Sequence, residues 1–215
     1  MAETASEPVR LPARGLSLLG VIPLEPGEDP PEWEPADPRL GARLVAYGDI
    51  AALVCPAPPT GAYADPLHVT ARHWEVHRAL LRGDVVPAPA GLVFGDEREV
   101  EGFLTESYAT LRAALARVAL RWEFRLHVKV VEAGFPDAKA LDLATHIYAE
   151  LRRISAAALP LPKGSGLVLS AAFLVPRTTS AAFQDRVDEL ARLNGALELD
   201  VTGPWPPYDF VHMHP

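Results

Sequence analysis

Nine residues in the middle of the chain constrain its fold most. From Trp122 to Val130, the apolar Trp122, Phe124, Leu126, Val128 and Val130 alternate with Glu123, Arg125, His127 and Lys129. A period of two puts the apolar set on one side only in an extended strand, so one face is predicted to be core and the other wet. Such a strand needs partner strands for its backbone groups and a layer to cover its apolar face. The residues that follow supply both. A helical pattern over 137–156 turns Leu141, Ala144, Ile147, Leu151 and Ile154 inward. Ala158–Leu161 and Leu167–Val175 flank the turn Lys163-Gly164-Ser165-Gly166, and the second of these runs is apolar except for Ser170, as expected of a strand covered on both sides. A helix over 179–193 carries Phe183, Val187 and Leu190, closes at Asn194-Gly195 and leads to an alternating strand over 197–202. Strand–helix–strand–strand–helix–strand predicts a ferredoxin-like C-terminal domain over 119–202.

The first half reads differently. Leu16–Ile22 is a short buried strand ending at Pro23, and Ala42–Tyr47 and Ile50–Cys55 form a hairpin around Gly48-Asp49. Between them, six prolines and six carboxylates from Pro23 to Pro38 predict a solvated loop whose apolar anchor is Trp33. Asp65-Pro66 is an N-cap and first-turn proline opening a helix over 66–82, with Leu67, Ala71, Trp74, His77 and Leu81 at helical spacing. Residues 85–94 form a proline-broken edge segment. A helix over 96–118 buries Val100, Phe103, Leu104, Leu111, Leu115 and Val118. Local hairpins in place of repeated parallel crossovers make this an α+β chain of two domains, with a flexible polar leader over 1–13, an N-terminal mixed domain over 14–118 and a boundary near residue 119.

Charge and cysteine usage restrict the function. A net charge of −8, of which −6 falls in residues 1–65, argues against a general nucleic-acid binder and against attraction to anionic lipid. No apolar run approaches the roughly 20 residues of a membrane span, and the N-terminus has no basic and then apolar signal-peptide pattern. The single cysteine, Cys55, excludes an internal disulfide and fits a cytoplasmic protein; beside Val54 it reads as a buried, inert thiol.

No catalytic set stands out. His73 and His77 share one side of a helix, and with His68, His212 and His214 they could be imagined around a metal. The spacing lacks the His-Glu-x-x-His order, however, and fixes no further ligand, so neither a metal nor a cofactor is predicted. His127 and His146 read as solvated. Gly164-Ser165-Gly166 lacks a nucleophile-elbow frame, and Glu97, Glu99 and Glu101 fit the acidic first turn of a helix. A non-enzyme is expected. The segment 203–215 is the other candidate. Gly203 and Pro204 are expected to stop the last strand, because proline gives a ladder no N–H. Pro206 and Pro207 then stiffen a segment carrying Trp205, Tyr208 and Phe210. Gly203, Pro204, Trp205, Pro206, Pro207, Tyr208 and Phe210 either fold back to seal a seam between domains or dock a partner.

The ending Leu199-Asp200-Val201-Thr202-Gly203-Pro204-Trp205-Pro206-Pro207-Tyr208-Asp209-Phe210-Val211 closely resembles the C-terminal signature of the gas vesicle protein F/L family (GvpF/GvpL-like). Gly20-Val21-Ile22-Pro23 with Gly48-Asp49-Ile50-Ala51-Ala52-Leu53-Val54 resembles its opening strand and second hairpin. Trp122-Glu123 with Val128-Lys129-Val130 is similar to its mid-chain strand, and Ala171-Ala172-Phe173-Leu174-Val175 followed by Phe183 to the strand and helix before the signature. The likeness covers nearly the whole chain. In one place it fails: where the family carries a Leu-Pro-Leu-Arg-Phe-Gly type segment after an upstream histidine, here His73, this chain has Val86-Pro87-Ala88-Pro89-Ala90-Gly91. If that arginine holds a partner or the domain seam, this chain has lost or changed the contact.

The resemblance implies a two-domain α+β accessory protein of gas vesicle formation. It would bind the small hydrophobic shell protein and other accessory proteins during assembly, in the cytoplasm and in association with the vesicle. A shell subunit with exposed apolar faces needs capped edges until it is incorporated, and a stiff Trp/Pro/Tyr/Phe segment suits that task. The alternatives are a small-molecule or metal-dependent enzyme using His73 and His77, and a tail that binds only its own chain while partners meet the edge 85–94.

Overall fold

The computed structural model describes residues 15–25, 27, 30–59, 65–211 and 213; the leader over 1–13, His212 and His214 lie outside the described residues. Among the described residues, nine strands and five α-helices build two antiparallel sheets. In the first sheet, β1 (Leu16–Pro23) pairs with β3 (Ile50–Pro56), and β3 with β2 (Arg43–Tyr47). The β2–β3 hairpin turns at Gly48 and Asp49, with Tyr47 opposite Ile50, as the sequence predicts. The far side of β1 takes two short strands, β4 (Val86–Pro87) and β5 (Val93–Phe94), from the proline-broken edge segment. Gly20 permits this pairing, since an added Cβ would stand 2.9 Å from the Val86 carbonyl oxygen.

Both faces of this sheet are covered. Ile50, Ala52 and Val54 face a core shared with α2 (Glu97–Glu106) and α3 (Tyr108–Val118), while Ala51, Leu53 and Cys55 face a core shared with α1 (Pro66–Arg82) and Trp33. The single helix expected over 96–118 is broken at Ser107 into α2 and α3, which lets both turn apolar sides toward the same sheet face. Its acidic first turn is a cap: the Asp96 side chain accepts the Glu99 N–H at 3.0 Å, and Glu99 accepts the Gly95 N–H at 2.6 Å.

α1 begins as predicted, with Asp65 accepting the Leu67 N–H at 3.1 Å, but its buried side is not the expected one. Leu67, Trp74 and Leu81 are 80%, 57% and 64% exposed, whereas Arg72, Glu75, Val76, Ala79 and Leu80 are buried. The helix is turned by about one residue, roughly 100°. Two charged side chains sit inside because they are bonded there. Glu75 accepts the Trp33 Nε1–H at 2.9 Å and the backbone N–H groups of Ala36 and Asp37. Arg72 donates to the carbonyls of Ala88 at 2.9 Å and Pro89 at 3.1 Å and to Ser17 Oγ at 3.3 Å. Buried charges so bonded are tolerated, and polarity alone misjudges the face.

The second sheet runs β7 (Ala157–Pro160), β8 (Leu167–Pro176), β6 (Arg121–Val130), β9 (Leu197–Trp205). Phe124, Leu126 and Val128 of β6 and Ala171, Phe173 and Val175 of β8 pack under α4 (Asp137–Arg153) and α5 (Ser180–Leu193). Ala140, Ala144, Ile147 and Leu151 are the buried side of α4, while Leu141 and Ile154, expected inward, are exposed. β9 also departs from expectation. Gly203 and Pro204 do not stop it; the strand continues to Trp205, opposite Glu123. Between Arg125↔Thr202 and Glu123↔Trp205, β9 has one residue more than β6, a bulge, and proline is tolerated in bulges.

Candidate functional site

Beyond Trp205 the chain turns back as a strap. Pro206 and Pro207 are buried, and a 3-10 turn, Tyr208–Phe210, closes with the Phe210 N–H on the Pro207 carbonyl at 3.2 Å. The strap's apolar side chains enter three different clusters. Tyr208 packs on the core beneath α1, Phe210 on Ala172, Leu174, Leu159 and Leu161 of the second sheet, and Val211 and Met213 on the core under α2 and α3. The strap thus ties the first sheet's two cores to the helix-free face of the second sheet.

A polar cluster anchors it. Glu123, expected on a wet face, is 0% exposed. It accepts the Arg125 Nε–H at 2.8 Å and the Asp209 backbone N–H at 2.9 Å, while Asp209 Oδ2 lies 2.9 Å from the same Arg125 Nε. Burial pushes the Glu123 carboxyl up to about 7, reinforced by the Asp209 charge and opposed by the Asp209 N–H and Arg125. Burial likewise raises the Tyr208 phenol. A second polar junction joins the halves of the chain. Arg177 donates to the Gly83 carbonyl at 2.6 Å and to Asp84 Oδ1 at 3.0 Å, and its guanidinium lies 5.7 Å from the Trp122 ring centre. Asp84 also accepts the N–H of Leu120, which holds φ 56.

The outer side of α1 meets the strap's near end. The His73 ring centre is 5.3 Å from that of Trp205 and 6.4 Å from that of Trp74, and Trp74 is 5.9 Å from His77. His73, Arg125, Trp205 and Tyr208 line a cavity of about 210 Å³. A larger groove of about 470 Å³ runs beside it, walled by Leu67, Ala71 and Trp74 on one side and by Asp37 and Leu40 on the other. Exposed Leu67, Trp74 and Leu81 make a row continuous with Trp205 through His73. Burial, and then the neighbouring His77, holds His73 below its usual pKa, so the ring is neutral and suited to packing.

The seven residues singled out at the C-terminus divide by position. Gly203 is exposed on the bulge at φ 131, where a Cβ would stand 2.8 Å from the Glu123 carbonyl oxygen. Pro204, Trp205 and Tyr208 are half-buried, with Trp205 Nε1–H donating to Thr202 Oγ1 at 3.0 Å; Pro206, Pro207 and Phe210 are buried. Sequence reasoning missed Glu123, Arg125, Asp209, Arg72 and Arg177, because each looks like an ordinary surface charge until its partner arrives from far along the chain. His73 and His77 stand 6.3 Å apart between ring centres, and no group of three or more His, Cys, Asp or Glu among the described residues is placed to hold a metal. His127, expected to be solvated, is half-buried with its Nδ1 3.0 Å from Ser170 Oγ. Burial raises the Cys55 thiol to about 11, so it carries no thiolate at neutral pH. Where the family segment has arginine and phenylalanine, Pro89 and Ala90 are exposed, and the carbonyl of Pro89 accepts from Arg72.

The fold and this site define a class: an α+β protein of two antiparallel sheets, tied by a C-terminal strap and presenting an apolar, aromatic face. Comparison with known proteins gives the family. The model of the gas vesicle synthesis protein GvpL/GvpF family matches residues 20–142 and 133–212, and the chain belongs to that family. It is similar to gas vesicle protein F2 of Halobacterium salinarum, 32% identical over 181 residues that make up 80% of this chain and 81% of that protein. Its fold is that of the crystal structure of GvpF from Anabaena sp. PCC7120, with a TM-score of 0.77 at 17% identity over 93% of this chain and 97% of the other. GvpF from Microcystis aeruginosa gives 0.76 at 15% identity over 93% and 100%. The family is one of gas vesicle proteins. Among the described residues, no helix is long and apolar enough to cross a membrane.

Proposed function

We propose that this protein is a non-enzymatic accessory protein of gas vesicle formation that binds the hydrophobic shell protein, and other accessory proteins, in the cytoplasm and at the growing vesicle. The observation that carries the reading is the exposed row Leu67, Trp74 and Leu81 on α1, running into Trp205. Large apolar side chains aligned on one helix and left in water are the usual mark of a docking surface. Of the C-terminal residues, Gly203, Pro204, Trp205 and Tyr208 border that surface and touch the partner, while Pro206, Pro207 and Phe210 hold the border in position. The His73 and His77 rings, 6.3 Å apart between centres, serve as packing rings within it.

The same reading takes residues 14–118 and 119–202 as two domains, the second ferredoxin-like, with 203–215 as the connecting tail. The element order β6-α4-β7-β8-α5-β9 and the antiparallel strand order β7-β8-β6-β9 support it. So does Leu120, whose positive φ marks the passage from α3 to β6. Co-expression with a gas vesicle shell protein and affinity capture test the function. Capture by the wild type, reduced in a folded Leu67→Ser/Trp74→Ser/Leu81→Ser variant, is the expected result. An equal yield from both proteins would remove α1 from the interface, and no capture by either would sink the binding role.

A further inference from the structure

The strap is attached through an unbalanced set of charges. At its turn, one guanidinium, Arg125, meets two carboxylates, Glu123 and Asp209, all within 2.9 Å contacts. If both carboxylates are ionised, the cluster carries a net negative charge, and one of its members, Glu123, is wholly shielded from water. One proton shared by the two carboxyls makes the cluster neutral. A protonated acid can also donate where two carboxylates can only repel.

The surroundings offer this cluster little else. Across the sheet, β8 places Leu174 opposite Glu123, and β9 places Trp205 there. The strap adds Tyr208, a phenol that burial keeps neutral. α1 adds His73, likewise held toward its neutral form, and Arg72, whose guanidinium is engaged by Ser17 and the carbonyls of Ala88 and Pro89. Further along the same face of β6, His127 is bound to Ser170 Oγ.

We propose that Glu123, Arg125 and Asp209 form a pH-responsive latch, closed by one proton shared between the carboxyls and loosened when that proton leaves, so that residues 206–211 lift from the second sheet. Lifting uncovers Ala172, Leu174, Leu159 and Leu161, the apolar patch beneath Phe210. The sign follows from the direction of the Glu123 shift. A buried acid titrating near 7, against about 4.5 once exposed, holds its proton more tightly in the closed state. The closed state is therefore favoured most at low pH, and the advantage is lost as pH rises from about 5 through 7.

Native-state hydrogen exchange of the Asp209 amide in the full chain reads the latch directly, because that N–H is bonded to Glu123 only when the strap is down. With the intrinsic chemical rate divided out, opening should rise roughly five- to tenfold per pH unit between pH 5 and 7 and level off above. Glu123→Gln, neutral and able to donate to Asp209, should flatten the profile, and Asp209→Asn, which removes the second carboxylate but leaves Glu123 buried, should make it shallower. In the second variant, the backbone amide of residue 209 remains the reporter, since it still donates to Glu123 when the strap is down. Opening that is constant from pH 5 to 7 in the wild type would overturn the proposal. So would an unchanged slope in whichever of the two variants folds.

Discussion

β3 and β6 occupy equivalent places in the two sheets, each a central strand, yet they are covered in different ways. β3 has helices on both sides: α1 over Ala51, Leu53 and Cys55, and α2 with α3 over Ile50, Ala52 and Val54. β6 has α4 and α5 over Phe124, Leu126 and Val128, but its other side meets the protein's own C-terminal strap and a network of charges. The helix-covered faces are held by apolar area, which is large, non-directional and insensitive to pH. The strap-covered face is held by a few aromatic contacts and a buried carboxylate, which are directional and conditional. One sheet is a fixed scaffold, and the other has a face that can be changed.

That difference can be broken by substitution, and the effects should fall in order. Leu53→Ala, at the centre of the doubly covered sheet, should cost about 2–5 kcal/mol in urea unfolding, the range for a fully buried leucine that leaves a cavity. Gly203→Ala places a Cβ 2.8 Å from the Glu123 carbonyl oxygen at a φ of 131, which only glycine readily adopts. About 1–3 kcal/mol should be lost, with disorder confined to the strap in amide spectra. Phe210→Ala should cost about 1–3 kcal/mol and raise exchange in β7 and the adjoining end of β8 more than in β3. Glu123→Gln sharpens the contrast through pH: its stability relative to wild type should improve as pH is raised from 5 to 8, because only the wild type then buries an ionised carboxylate. No such trend is expected for Leu53→Ala. Trp74→Ala should change stability least, within about 0.5 kcal/mol, since that ring is mostly in water.

The scaffold was legible because its signals are local. Asp65-Pro66 opened a helix, Gly48-Asp49 turned a hairpin, and the alternation from Trp122 to Val130 marked a strand. What misled was polarity at positions whose partners lie far away in the chain. Arg72 and Glu75 looked like the wet side of α1, yet they are inside because Pro89, Ala88, Trp33 and Ala36 bond them there. With that side assigned to water, Leu67, Trp74 and Leu81 were assigned to the core, and the exposed row that now forms the candidate site was hidden. Glu123 was misjudged for the same reason, its bond to Asp209 spanning 86 residues. β9 overran its expected end because a bulge accommodates Pro204, and spacing alone does not reveal a bulge. The C-terminal signature was visible as an aromatic and proline cluster, but its division into a bordering edge and a buried anchor depends on which core each ring enters.

In the proposed reading, α1 and the strap's edge form a docking face while the strap's interior serves structure. Titrating purified wild type, a Trp74→Ala/Trp205→Ala variant and Phe210→Ala against immobilised shell protein, with unfolding midpoints recorded for the same samples, separates the two. The double variant should bind at least about tenfold more weakly, a loss of about 1.4 kcal/mol, with most of its stability retained. Phe210→Ala should instead lose stability and affinity together. Wild-type affinity in the double variant, or a loss no greater than its unfolding explains, would contradict that reading.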